Sequence, residues 1–95
     1  MSALWIATVD VTDEAAYGDY VKVASEVIPA HGGTFIARGG RYVQLEGRER
    51  ARNVVARFPT LEDAVAAYND PRYQEAVKIA KTASDREIVV VEIDD

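Results

Sequence analysis

The one histidine in this 95-residue sequence, His31, is the side chain whose ordinary pKa of about 6.5 suits proton transfer near neutral pH. It is followed by Gly32-Gly33, a pair without side chains that lets a ligand or another backbone come close. His31 is therefore the candidate catalytic acid or base. The same residue also fits as the C-terminal end of a helix, where an imidazole interacts favourably with the helix dipole. A lone His in a chain without Cys makes neither a triad nor a metal site, and thiolate or iron–sulfur chemistry is excluded. No metal and no cofactor is expected.

Tyr17 and Tyr20 are three residues apart, and Tyr73 stands in a later segment of similar periodicity. Phenols on an apolar helix face can pack their rings and still offer hydroxyls to a cavity between helix and sheet, so all three are candidate ligand-binding residues. They serve equally as core residues with hydroxyls at its rim. Arg38, in Ala37-Arg38-Gly39-Gly40, could grip a carboxylate with its two-pronged guanidinium. Glu46, just before Gly47, is the other candidate at this end of the chain, either toward a ligand or as a cross-strand ion-pair partner of Arg38.

These residues need elements to position them. Ala3 to Val11 alternates as a strand, with Ala3, Trp5, Ala7 and Val9 on one face and Leu4 and Ile6 on the other. Thr12 is placed to cap a following helix, whose first turn carries Asp13 and Glu14. Tyr17, Tyr20, Val21, Ala24, Val27 and Ile28 form that helix's apolar stripe, and Pro29 with Gly32-Gly33 predicts its end between Ile28 and Gly32. His31 falls in this terminus. Thr34 to Arg38 predicts a short strand, Gly39-Gly40 a turn or bulge, and Arg41 to Glu46 a second extended piece.

Asn53 to Phe58 predicts the next strand. Thr60, with Asp63 three residues on, caps a helix, and Asp70-Pro71 restarts it as far as Ala83. Glu87 to Ile93 is a β-branched final strand. The order β, α, β, β, α, β predicts an α+β fold, a ferredoxin-like sandwich of one antiparallel four-stranded sheet with its helices on one face. Residues 1–95 make one domain on this reading, with no repeat or linker.

Composition narrows the function classes. A formal charge of −5 disfavours nucleic acid, because a polyanion needs clustered cations, and Arg48, Arg50 and Arg52 are interspersed with Glu46 and Glu49. That mixed-charge stretch reads as a solvated loop. No apolar run approaches the roughly 20 residues of a membrane span, and the opening residues lack the pattern of a signal peptide, so a cytoplasmic location is expected.

Helices on one face cannot cover both sides of strands that are apolar on both. Val89, Val91 and Ile93 alternate with Ile88 and Val90 in the last strand, as Leu4 and Ile6 alternate with Trp5 and Ala7 in the first. The second face predicts a homodimer formed through the sheet faces.

The Tyr-x-x-Tyr helix, Gly32-Gly33-Thr34-Phe35-Ile36-Ala37-Arg38-Gly39-Gly40, Leu45-Glu46-Gly47, Phe58-Pro59 and Pro71-x-Tyr73-Gln74 occur in order over Trp5 to Glu92. Together they resemble the domain-of-unknown-function family numbered 1330. The resemblance implies a dimeric α+β barrel, in which two ferredoxin-like sheets face each other. The chain departs from the family pattern at Arg57, where Glu is frequent, at Ala67-Tyr68, where Trp is frequent, and at Ala80-Lys81, where an Arg is frequent.

By analogy with such barrels the resemblance implies a cofactor-independent enzyme, an isomerase, lyase or oxygenase, acting on a small carbonyl or phenolic compound. His31 would move protons, Arg38 would hold an anionic group, and Tyr17, Tyr20 and Tyr73 would line the pocket. The alternative is a non-catalytic dimeric module that binds a small metabolite or regulates a partner.

Overall fold

Residues 1–95 are described by a computed structural model. The chain runs β1 (Ala3–Val11), α1 (Glu14–Ala30), β2 (Thr34–Arg38), β3 (Arg52–Phe58), α2 (Leu61–Asn69), α3 (Pro71–Ala83) and β4 (Ser84–Glu92). The four strands form one antiparallel sheet in the order β2-β3-β1-β4. This is the α+β, ferredoxin-like βαββαβ arrangement, with the second helix split at Asp70.

Local chemistry sets the boundaries. The amides of Thr12 and Asp13 both donate to the Ala83 carbonyl, at 2.8 and 3.1 Å, which leaves Asp13 in extended conformation at the mouth of α1. Asp13, and not Thr12 as the sequence suggested, therefore caps α1, its carboxylate accepting from the Ala16 amide at 3.1 Å. At the other end Gly32 takes φ +86°, and the Gly33 amide donates back to the Ile28 carbonyl at 2.9 Å. A Cβ at Gly33 would lie 2.6 Å from Ile28 and 2.7 Å from Phe58, so only glycine permits this closure over the core. Thr60 and Asp70 cap α2 and α3 as expected, through the amides of Asp63 and Arg72.

The second extended piece predicted for Arg41 to Glu46 is not a strand. Residues 39–51 are an exposed irregular loop. It pairs with neither outer strand of the sheet, β2 or β4, and the end of the loop is drawn instead toward β1 and β4 by ion pairs. There Arg48 and Arg50 reach Asp10 at 3.3 and 2.9 Å, and Arg50 also meets the Asp85 carbonyl at 2.9 Å and Glu87 at 3.3 Å. Arg50 is only 6% exposed, so the expected solvated charge run is in part an anchored ion-pair cluster. A guanidinium facing three carboxylates and a carbonyl loses little by leaving water.

The core lies between the sheet and the helices, around Trp5, Val9, Phe58, Tyr73, Val27 and Ile28. Ile88 and Val90 pack against it from β4. On the opposite face, Ile6 stands between Val55 and Val89, and Leu4 beside Val91. Val89 and Val91 are 56% and 46% exposed, so the two-sided apolar pattern leaves one face open. No helix is long and apolar enough to cross a membrane.

Candidate functional site

Three predicted site residues meet where α1 lies along α3. Tyr17 and Tyr20 project from the inner stripe of α1, and Tyr73 from the first turn of α3. The Tyr17 and Tyr20 rings are 4.9 Å apart, and the Tyr20 and Tyr73 rings 5.7 Å apart. The Tyr20 and Tyr73 hydroxyls share a 2.6 Å hydrogen bond. This partner is what allows Tyr73 to be wholly buried, with Trp5 edge-on at 5.4 Å. Burial pushes the Tyr73 phenol far above its usual range, and burial together with the neighbouring Tyr20 pushes Tyr17 up as well. Both phenols therefore keep their protons at neutral pH.

Over this cluster sits Arg86, which the sequence reading missed. It is paired with Val9 across the ladder and points to the helix side, its guanidinium carbon 4.5 Å from the centre of the Tyr20 ring. Its Nη1 is buried without a hydrogen-bond partner. The signal was available: Arg86 is in phase with Ile88 and Val90, so a charged residue occupies a core-facing position of an alternating strand. Arg86 also borders a cleft of about 320 Å³ between α2 and β4, lined by Val65, Tyr68, Ile88 and Val90.

Arg38 lies on the other side of α1. Its guanidinium stacks 4.0 Å from the Phe35 ring centre and donates to the Ser25 hydroxyl. The space there, among Trp5, Tyr20, Ala24 and Phe35, is about 20 Å³, enough for one water. It shares Tyr17, Val21 and Arg52 with a wider cleft of about 390 Å³, which Val9, Val11, Ala51 and Glu14 complete. The suggested Arg38–Glu46 ion pair does not form. Arg38 is committed to α1 through Ser25, while Glu46 stays in the exposed loop, where its carbonyl accepts from the Gln44 amide group.

His31 is not brought to the tyrosines. Its Nε2 lies 2.9 Å from Asp70 Oδ2, and its amide closes α1 on the Val27 and Ile28 carbonyls at 3.3 and 3.2 Å. Eleven residues separate it from Tyr20, about 16 Å along the helix. Asp70 also receives the Arg72 guanidinium at 3.0 Å, and Arg72 first, then His31, holds its carboxyl well below the usual carboxylate range. The pair ties the end of α1 to the corner between α2 and α3. No cluster of three or more His, Cys, Asp or Glu is present to hold a metal.

A family profile described as a domain of unknown function, DUF1330, spans residues 2–93. The chain belongs to the DUF1330 family. No functionally curated protein matches it at a significant level. Among solved structures, this DUF1330 chain is similar to a protein of unknown function from Rhodopseudomonas palustris, with a TM-score of 0.78 and 20% identity over 99% of this chain and 83% of that one. A dimeric ferredoxin-like protein of unknown function from Jannaschia sp. superposes with a TM-score of 0.76 at 13% identity, covering 98% and 100% of the two chains. SnoaB from Streptomyces nogalater, a cofactor-independent oxygenase, gives a TM-score of 0.65 at 13% identity over 99% and 94%. At these identities the likeness carries the fold: the DUF1330 chain shares the ferredoxin-like architecture of proteins that are themselves dimeric.

Proposed function

We propose that this protein is a cofactor-independent enzyme acting on a small carbonyl or phenolic compound bound along α1. The observation that carries the reading is the open cleft of about 390 Å³, a size suited to a small ligand. Its apolar wall of Val9, Val11, Val21 and Ala51 is interrupted only by Tyr17, Arg52 and Glu14. The protonated Tyr17 phenol and the Arg52 guanidinium are donors suited to a carbonyl or phenolate oxygen that gains negative charge. Glu14 is the carboxylate available to take a proton from the adjacent carbon, leaving the electron pair on that oxygen. Arg38 and Tyr20 line the narrow end, Tyr73 supports Tyr20 through their shared hydrogen bond, and His31 braces α1 from its far end. The likeness to SnoaB adds an analogy of fold.

Incubation with hydroxylated aromatic ketones, followed by mass spectrometry and proton exchange at the activated carbon, tests this. Glu14→Gln and Tyr17→Phe are expected to slow turnover at least ~100-fold with the fold intact. Equal turnover by Glu14→Gln and the parent protein would remove the assigned base. Loss of turnover in a folded His31→Ala protein would return proton transfer to His31.

A second reading, a dimeric module that binds a metabolite without transforming it, is favoured by the engagement of His31 with Asp70 away from the cleft. A ligand recovered unaltered after long incubation with saturating protein selects it.

In either reading we infer a homodimer joined through the open sheet face. Leu4, Ile6, Val55, Val89 and Val91 make a contiguous apolar patch of a kind uncommon on monomers. Apolar burial at roughly 25 cal/mol per Å² favours covering it.

A further inference from the structure

We propose a second binding site, independent of the cleft along α1, in which Arg86 receives the carboxylate of a small aromatic or branched apolar acid entering between α2 and β4. Four of the chain's other arginines meet carboxylates: Arg48 and Arg50 the Asp10 cluster, Arg57 Asp95 at 2.7 Å, and Arg72 Asp70 at 3.0 Å. Arg86 meets none. Its surroundings are the phenols of Tyr17, Tyr20 and Tyr73, neutral groups that stack or hydrogen-bond but carry no compensating charge.

A half-buried guanidinium with no carboxylate partner is expensive to maintain, and its buried Nη1 has no hydrogen-bond partner in the protein. Replacement by an apolar residue would give up only the stacking on Tyr20, so the unpartnered guanidinium is spare capacity for an anion. The cleft beside it supplies the rest of the specificity. Val65, Ile88 and Val90 offer aliphatic contact and Tyr68 an aromatic face, in about 320 Å³. A planar carboxylate matches the guanidinium fork, and a single ring or branched chain matches the walls.

Phenylacetate is the probe, with phenylacetamide as its uncharged counterpart, titrated calorimetrically into the intact protein. Arg86→Met keeps similar volume and removes the buried charge, and is expected to fold with equal or higher Tm. Phenylacetate should bind the parent protein and Arg52→Met alike, and bind Arg86→Met at least ~10-fold more weakly, with phenylacetamide weaker by a similar factor. Equal binding of acid and amide, or unchanged binding to Arg86→Met, would overturn the proposal. So would the absence of phenylacetate binding at ~10 mM, which would leave Arg86 a packing residue whose spare donor meets only water. Loss of binding in Arg52→Met but not in Arg86→Met would move the acid to the cleft along α1.

Discussion

The hydroxyls of Tyr20 and Tyr73, 53 residues apart in sequence, share a 2.6 Å hydrogen bond where α1 lies along α3. The bond joins the two halves of the chain at the point where both halves bury an aromatic ring. It also fixes the floor on which Arg86 rests, since the guanidinium stacks on Tyr20. Packing, polar satisfaction and the candidate anion site thus depend on one pair of phenols.

Removing either hydroxyl leaves the other idle. Tyr20→Phe and Tyr73→Phe are each expected to destabilise the protein by about 1–2 kcal/mol in urea unfolding, with the double variant losing clearly less than the sum. A coupling of about 1 kcal/mol is expected from the double-mutant cycle. Strict additivity would mean that the two hydroxyls do not depend on each other.

The upward shifts of Tyr17 and Tyr73 set an alkaline limit. Below about pH 10, the ordinary phenol pKa, folded and unfolded chains both keep these protons and the contribution is constant. Above it the unfolded chain releases them first, so stability falls as pH rises. Part of the phenolate absorbance of the five tyrosines should therefore appear only together with loss of near-ultraviolet circular dichroism. Complete ionisation of all five near pH 10 in a native protein would contradict the buried cluster.

Asp70 sets the acid limit, because Arg72 and His31 hold its carboxyl below the ordinary range of about 3.9. The stability it contributes is present above that ordinary value and is lost as pH falls through it toward the lower folded value. Asp70→Asn keeps a side chain that caps α3 about as well, and should lower Tm by roughly 5 °C at neutral pH through the lost pairs with Arg72 and His31. It should also flatten the decline of Tm below about pH 4. Parallel curves for the two proteins would show that acid sensitivity arises elsewhere.

Much of this was legible in the sequence, and the misses share a cause. Alternation in Ala3 to Val11 and the stripe from Tyr17 to Ile28 are local patterns, and both elements formed on the expected faces. The caps at Thr60 and Asp70 are short-range chemistry and were equally readable. Residues 41–46 have an extended pattern, but the end of their loop is held by Arg48 and Arg50 to Asp10, Asp85 and Glu87, partners remote in sequence, and the segment pairs with neither outer strand. Arg50 and Arg86 are inversions of each other: one looked solvated and is anchored by carboxylates from two strands, the other fell just before the strand expected from Glu87 and faces the core from a strand that begins at Ser84. His31 was visible as a helix end, but its partner lies 39 residues on, beyond any local motif.

The open face provides the last prediction. Val89 stands opposite Ile6 at the centre of the uncovered patch, whereas Val65, at 46% exposure against 56% for Val89, lies on α2 on the helix side. A charge placed between two facing apolar sheets would be desolvated without a partner, a cost large enough to separate two copies. Val89→Glu should therefore shift the protein from dimer to monomer in sedimentation equilibrium at micromolar concentration, while Val65→Glu should leave the dimer intact. Because the two substitutions add the same charge, a difference between them reports the face and not the net charge. Dissociation by Val65→Glu alone would transfer the interface to the helix side, and a dimer that survives Val89→Glu would rule out the facing-sheet arrangement.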